Sequence, residues 1–164
     1  MDVEVSIDDG EWSRALDALL VRVEVATGDA SMAAAELIKT YTQANLTERS
    51  HSSLTFSPSD WGESPAMVSG ALAASIDTAE SGPMSAIVGP TDLRYARIQE
   101  LGGDMHGHPM MVFHKMFRGH LHEFRRVFVH LDERPYLEPA TRFAVDSGEV
   151  RDIYVEYWAA AIEG

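Results

Sequence analysis

Apolar residues recur at helical spacing at both ends of this chain and lose that regularity in the middle. Trp12, Ala15, Leu16, Leu19 and Val23 mark one face of an amphipathic helix running to about Val25. Ala34, Leu37, Ile38, Tyr41 and Asn45 mark a second, from about Ala30 to Glu48. Thr27-Gly28-Asp29 punctuates the pair, which can equally be one long broken helix. At the other end, Val150, Ile153, Tyr154, Tyr157, Trp158 and Ala161 give the apolar face of a helix from about Ala140 to Ile162. Gly148 either kinks that helix or marks a new start after Ser147. Stripes at both ends must be buried against what lies between them, and the middle offers short strand-like pieces.

Val3 to Ile7 alternates apolar and acidic residues as a short edge strand does, and Asp8 and Asp9 can cap the helix that follows. His51 to Ala66, rich in Ser, Pro, Gly and Asp, reads as a loop. Val68 to Thr78 suits a short helix and then a strand, Met84 to Val88 a strand, and Gly89-Pro90-Thr91-Asp92 a turn. Tyr95 to Leu101 is extended or helical and is closed by Gly102-Gly103. Pro109 to Phe117 and Leu121 to Leu131 flank Arg118-Gly119 as a β-hairpin would. On its second strand neither face is cleanly apolar: one carries Leu121, Glu123, Arg125, Val127 and Val129, the other His120, His122, Phe124, Arg126, Phe128 and His130. Such a hairpin suits a neighbouring subunit or a half-buried position with solvated charges. Glu133 to Pro139 is a Pro-bounded loop. The expectation is a single α+β domain over 1–164, with a small antiparallel sheet and a long β-hairpin packed against N-terminal and C-terminal helices. Its parts are a helical stretch at 1–50, a core at 64–140 that includes the hairpin at 106–130, and a C-terminal helix at 140–162.

Charge is distributed unevenly. Acidic residues outnumber basic ones 26 to 13, for a formal net charge of -13. A chain so acidic is not built to coat nucleic acid, which needs clustered Lys and Arg. The segment 106–130 inverts the balance: Lys115, Arg118, Arg125 and Arg126 stand against Glu123 alone, beside six of the seven histidines. An acidic partner surface would select that segment. Cysteine is absent, which removes disulfides and thiolate chemistry. The opening residues MDVEVSIDDGEW lack the order of a signal peptide, and no apolar run is long enough for a bilayer, so a soluble protein with no membrane partner is expected.

Three separated strings carry a resemblance to a known family. The first is Ser64-Pro65-Ala66-Met67-Val68-Ser69-Gly70-Ala71-Leu72-Ala73-Ala74-Ser75-Ile76. The second is Ala86-Ile87-Val88-Gly89-Pro90, leading to Tyr95-Ala96-Arg97-Ile98-Gln99-Glu100-Leu101-Gly102-Gly103. The third is Arg134-Pro135-Tyr136-Leu137-Glu138-Pro139-Ala140, ahead of a helix. In order and spacing they resemble the tail-completion, or head–tail joining, proteins of long-tailed double-stranded DNA bacteriophages. Ser69 stands where the family usually has Thr, and the 106–130 hairpin is longer and richer in His than the family's connection. The resemblance implies a structural virion protein of the neck, assembled in the bacterial host cytoplasm. It implies a homo-oligomeric ring of six copies between a head-side connector or stopper and the tail terminator or tail tube, with DNA passing through its channel and no cofactor. A tail terminator capping the tube is the nearest alternative.

The residues themselves suggest architecture more than chemistry. Gly70, Gly89 and Gly102-Gly103 suit positive φ or close backbone approach. Pro65 and Pro135 suit the start of a helix or strand, where no N–H is needed. Tyr95 and Tyr136 bring apolar area with a polar tip. No Gly-x-Ser-x-Gly elbow or phosphate loop is present, and adjacent acids such as Asp132-Glu133 do not make an acid–base pair, so no enzyme activity is expected. His106, His108, His114, His120 and His122 are neutral imidazoles that zinc can use, and a His-rich metal- or ligand-binding module is the alternative of a different class. No His-Glu-x-x-His motif accompanies them, so no metal site is assigned. Among these residues the candidate partner interface is His120, His122, Phe124, Arg125, Arg126 and Phe128.

Overall fold

The computed structural model describes residues 10–48, 63–65, 67, 69–105 and 129–163. Within them the fold is α+β, with two two-stranded antiparallel sheets, the larger packed against N-terminal and C-terminal helices. The N-terminal periodicity folds as one unbroken helix, α1, Gly10–Thr47, of 38 residues. At 1.5 Å per residue it is about 57 Å long and forms the spine of the domain. It is followed by α2 (Ala71–Ser75), β1 (Ile76–Gly82), β2 (Ser85–Pro90), α3 (Ala96–Leu101), β3 (Gly103–Met105), β4 (Val129–Leu131), α4 (Leu137–Asp146) and α5 (Glu149–Glu163).

Gly28 does not punctuate α1, contrary to the sequence reading. It is there because the β1–β2 turn lies directly on it: a Cβ at position 28 would stand 2.5 Å from the Pro83 carbonyl oxygen. Next to it, Ser31 is buried and joins three elements. Its hydroxyl lies 2.9 Å from the Met84 carbonyl and 2.8 Å from the Tyr154 hydroxyl on α5. Ser31 has one proton to give, so when it donates to Met84 it accepts from Tyr154. Gly28→Ala therefore sets two effects against each other. The helix gains up to about 1 kcal/mol of propensity, and the backbone clash costs about 1–3 kcal/mol. The clash should prevail, with a net loss of about 1 kcal/mol in urea denaturation; a gain in stability would show that the turn moves aside freely.

Small residues let the elements close on the spine. Ala26, Ala30, Ala34 and Ala35 are buried along α1. Beyond them Leu46, Ala73, Ile76 and Tyr136 form the apolar centre, with Leu72, Val88 and Leu137 packed around it. β1 and β2 pair from Ile76↔Pro90 to Gly82↔Ser85, with a bulge between Glu80 and Gly82. The expected turn at Gly89–Asp92 starts later, since Gly89 and Pro90 complete β2 and the bend falls on Thr91-Asp92, with Asp92 at φ +57°. Lys39 on α1 bridges to Asp77 on β1 at 3.1 Å. The Asp77 carboxylate holds the Lys39 ammonium above its ordinary pKa, and Lys39 holds Asp77 below the usual carboxylate range.

The helix expected at 140–162 takes the new start offered after Ser147 and is two helices. α4 begins at Leu137, inside what reads as a loop, and α5 starts afresh at Glu149. Gly148, at φ +85°, takes the left-handed turn that ends α4, and its carbonyl accepts from Asp152 N–H to open α5. Tyr41 of α1 donates to the Glu149 carboxylate at 2.7 Å, which raises the tyrosine pKa, and its ring meets Phe143 edge-on at 5.0 Å. Of the long hairpin at 106–130, only Val129 and His130 lie among the described residues. With Leu131 they form β4, whose described partner is β3: Met105 pairs with Val129 and Gly103 with Leu131. The edge strand at Val3–Ile7 and nearly all of the loop at His51–Ala66 lie outside the described residues.

Candidate functional site

The three strings that carry the resemblance meet in one place. The Ser64 hydroxyl donates to the Pro135 carbonyl at 3.0 Å, joining the first string to the third. Arg134 N–H donates to the Gln99 carbonyl at 2.7 Å, joining the third to the second. Thr91 N–H and hydroxyl both donate to the Ser75 carbonyl, at 2.8 and 3.0 Å, tying the stretch after Pro90 to the end of α2. Leu72, Val88 and Leu137, one from each string, pack on the same apolar centre.

Glu100 is the hinge of this cluster. A helix start leaves up to four backbone N–H groups without intrahelical partners. In α4 these belong to Tyr136, Leu137, Glu138 and Pro139, and proline has no N–H to leave. Glu100 Oε2 accepts from Tyr136 N–H at 2.8 Å and Leu137 N–H at 3.1 Å, and Oε1 accepts from Glu138 N–H at 3.0 Å. One carboxylate and one proline thus account for the whole helix start, where Tyr136 supplies no side-chain cap. The negative charge also stands at the positive end of the helix dipole.

Tyr136 then turns its side chain inward. It is 1% exposed, and its hydroxyl donates to the Ala96 carbonyl at 3.2 Å. Burial, with Glu100 nearby, pushes its pKa up to about 12. Tyr95, by contrast, is exposed. With Pro65, Gly70, Leu72 and Gln99 it lines an open cleft of about 180 Å³ between α2 and α3. The expected positive φ is found at Gly70 (+74°), Gly102 (+64°) and Gly103 (+135°). Gly89 does not need it: the residue sits in β2 with nothing within 4 Å of a Cβ placed there.

The 106–128 segment leaves and rejoins this cluster through β3 and β4. His130 faces Asp104 across the pair, with Nδ1 2.8 Å from Oδ1, and its Nε2 lies 3.9 Å from Asp132. The Asp104 carboxylate raises the imidazole pKa above 6.5. A group with a raised folded-state pKa stabilises fully below its unfolded pKa and loses that contribution as pH rises through the folded value. The β3–β4 pairing should therefore be tightest below 6.5, where Asp104 is still ionised, and slacken as pH rises through the raised His130 value, by a small amount because both side chains are exposed. An NMR titration should place His130 above 6.5, and Asp104→Asn should bring it back; a His130 titrating at or below 6.5 in the unmodified chain would contradict the pairing.

His120, His122, Phe124, Arg125, Arg126 and Phe128 lie outside the described residues, as do the other candidate zinc ligands. Among the described residues no group of three or more His, Asp or Glu is placed to hold a metal, and no helix is long and apolar enough to cross a membrane. The side chains of Ser64, Glu100 and Tyr136 are engaged with backbone, and together they hold three chain segments in fixed register. Sequence reading places Glu100 in the structural motif but not at the start of α4, a contact that spans 36 residues of chain. No family model, curated protein or solved structure matches the chain.

Proposed function

We propose that this chain is a structural ring subunit of a bacteriophage neck, completing the tail and joining it to the head connector around the DNA channel. The observation that carries the reading is the convergence of the three motif strings. The second and third lie thirty residues apart in the chain, yet they close on one helix start through Glu100, Gly102 and Tyr136, and Ser64 ties the first to it. Residues used in this way specify a frame, which is what a signature without reactive groups would be for. The acidic balance supports a channel role, because a negative lumen repels phosphate and lets DNA slide. On this reading the protein is not an enzyme, needs no cofactor, and acts as a six-copy ring within the virion.

The basic, His-rich segment is proposed as the contact with an acidic neighbour in the neck. Arg125→Ala combined with Arg126→Ala should lower the yield of tailed particles from a complemented deletion phage without lowering the melting temperature. An unchanged yield would remove the segment from the interface. The test of the whole reading is electron microscopy of intact virions with labelled protein, to find its position and copy number. Density at the head–tail junction supports it, copies at the tube end alone would make the protein a terminator, and absence from virions would overturn it.

A further inference from the structure

The apolar stripe of α1 is longer than the helix that covers it. Tyr154 meets Ser31 and Trp158 meets Thr27, so α5 runs antiparallel to α1 and advances four residues along it per turn. At that rate α5 ends beside Val23. Further toward the N-terminus, Trp12, Leu16 and Leu20 stand on the same side of α1 at 71, 43 and 54% exposure. With Leu19 and Val23 the spacing is 12, 16, 19, 23, the alternation of four and three that receives a partner helix. α5 in turn carries a second stripe: Val155, Trp158 and Ile162 are 56, 41 and 62% exposed at i, i+3 and i+7.

We propose that these stripes are the two halves of one contact between copies of this chain, the exposed flank of α5 that carries Val155, Ile162 and the open side of Trp158 in one copy lying on the Trp12–Val23 stretch of α1 in the next. The inference rests on the ring reading for its setting. Lengths agree: the receiving stretch is about 17 Å long and the presenting stripe about 11 Å. Placing Val155 beside Trp12 brings Ile162 to Leu19, so the presenting stripe fits within the receiving stretch. The six exposed side chains offer roughly 650 Å² of apolar surface. Interfaces are a little over half apolar, which puts the full contact at roughly 1,100 Å², near the lower edge of specific interfaces. Each contact is therefore weak alone and gains from ring closure. A contact between two different surfaces is head-to-tail when one such pair joins two copies, and that type builds rings.

The test is sedimentation of the full chain at about 100 μM, a range that reports micromolar association. The unmodified chain should form species larger than a monomer. Leu16→Glu spoils the receiving stretch and Ile162→Glu the presenting one; each alone should be monomeric, at least tenfold weaker in association, with an unchanged melting temperature. An equimolar mixture should form a heterodimer and nothing larger, since the intact α5 of the first meets the intact α1 of the second. A monomeric unmodified chain would overturn the contact, as would Ile162→Glu still dimerising, which would mean α1 pairs with α1. Those results leave the neck reading standing, and absence from virions removes the neck reading while leaving the contact.

Discussion

Gly102→Ala should remove about 4 kcal/mol of stability and with it most of the folded population of a marginal domain. The backbone there has φ +64° and ψ -173°, a region that is essentially confined to glycine and costs other residues about 1–3 kcal/mol. The added methyl would also stand 2.8 Å from the Glu133 nitrogen and 2.9 Å from the Leu131 carbonyl oxygen. Both are backbone atoms fixed by their neighbours, Leu131 by pairing with Gly103 and Arg134 by its bond to Gln99. Relief of the clash must break one of those connections, at about 1–3 kcal/mol more. Urea denaturation monitored by far-UV circular dichroism measures the sum. A loss below about 1 kcal/mol would mean that the 131–134 segment is not held against α3.

The second large effect is at Glu100. Replacement by alanine removes the acceptor of three amides at once and leaves the start of α4 without a cap. Hydrogen bonds to a charged group are worth about 1.5–3 kcal/mol, and the three here share one carboxylate, so a total loss of about 2–3 kcal/mol is expected. Glu100→Gln keeps one acceptor oxygen, enough for Tyr136 and Leu137 N–H, but loses the charge and the acceptor for Glu138 N–H, so it should fall between the parent and the alanine variant, at a loss of about 1–2 kcal/mol. Hydrogen exchange gives the local readout: the amides of Tyr136, Leu137 and Glu138 should exchange faster in the alanine variant, while those of β1 and β2 slow or speed only with global stability. Unchanged protection at these three amides would show that solvent caps the helix equally well.

The α+β class was legible because the helical stripes lie at the ends and the strands are short and bounded by turn residues. The positive-φ positions at Gly70, Gly102 and Gly103 were legible too, since few other roles demand glycine beside a motif. Gly28 was misread. Its reason is a turn more than fifty residues away, and a close tertiary approach leaves no mark in local spacing. The same holds for the start of α4, where Leu137-Glu138-Pro139 looks like a loop until Glu100 supplies the missing acceptor. Gly89 errs the other way: a glycine next to a proline resembles a turn, but the strand runs through both. As for the candidate site, the motif strings could be read as architecture, whereas their meeting point could not, because each bond between them spans distant parts of the chain.

Met105 and Val129 sit opposite one another on paired strands. The chain thus departs from the frame and returns to it at neighbouring points, about 5 Å apart in a ladder of this kind. Whatever is inserted between them has its ends already closed, and doubling an insert costs only about 0.6 kcal/mol in closure entropy. Changes of length between these two residues therefore cost little in closure entropy, and Glu100, Gly102 and Tyr136 hold the frame independently of how long the chain between the two strands is.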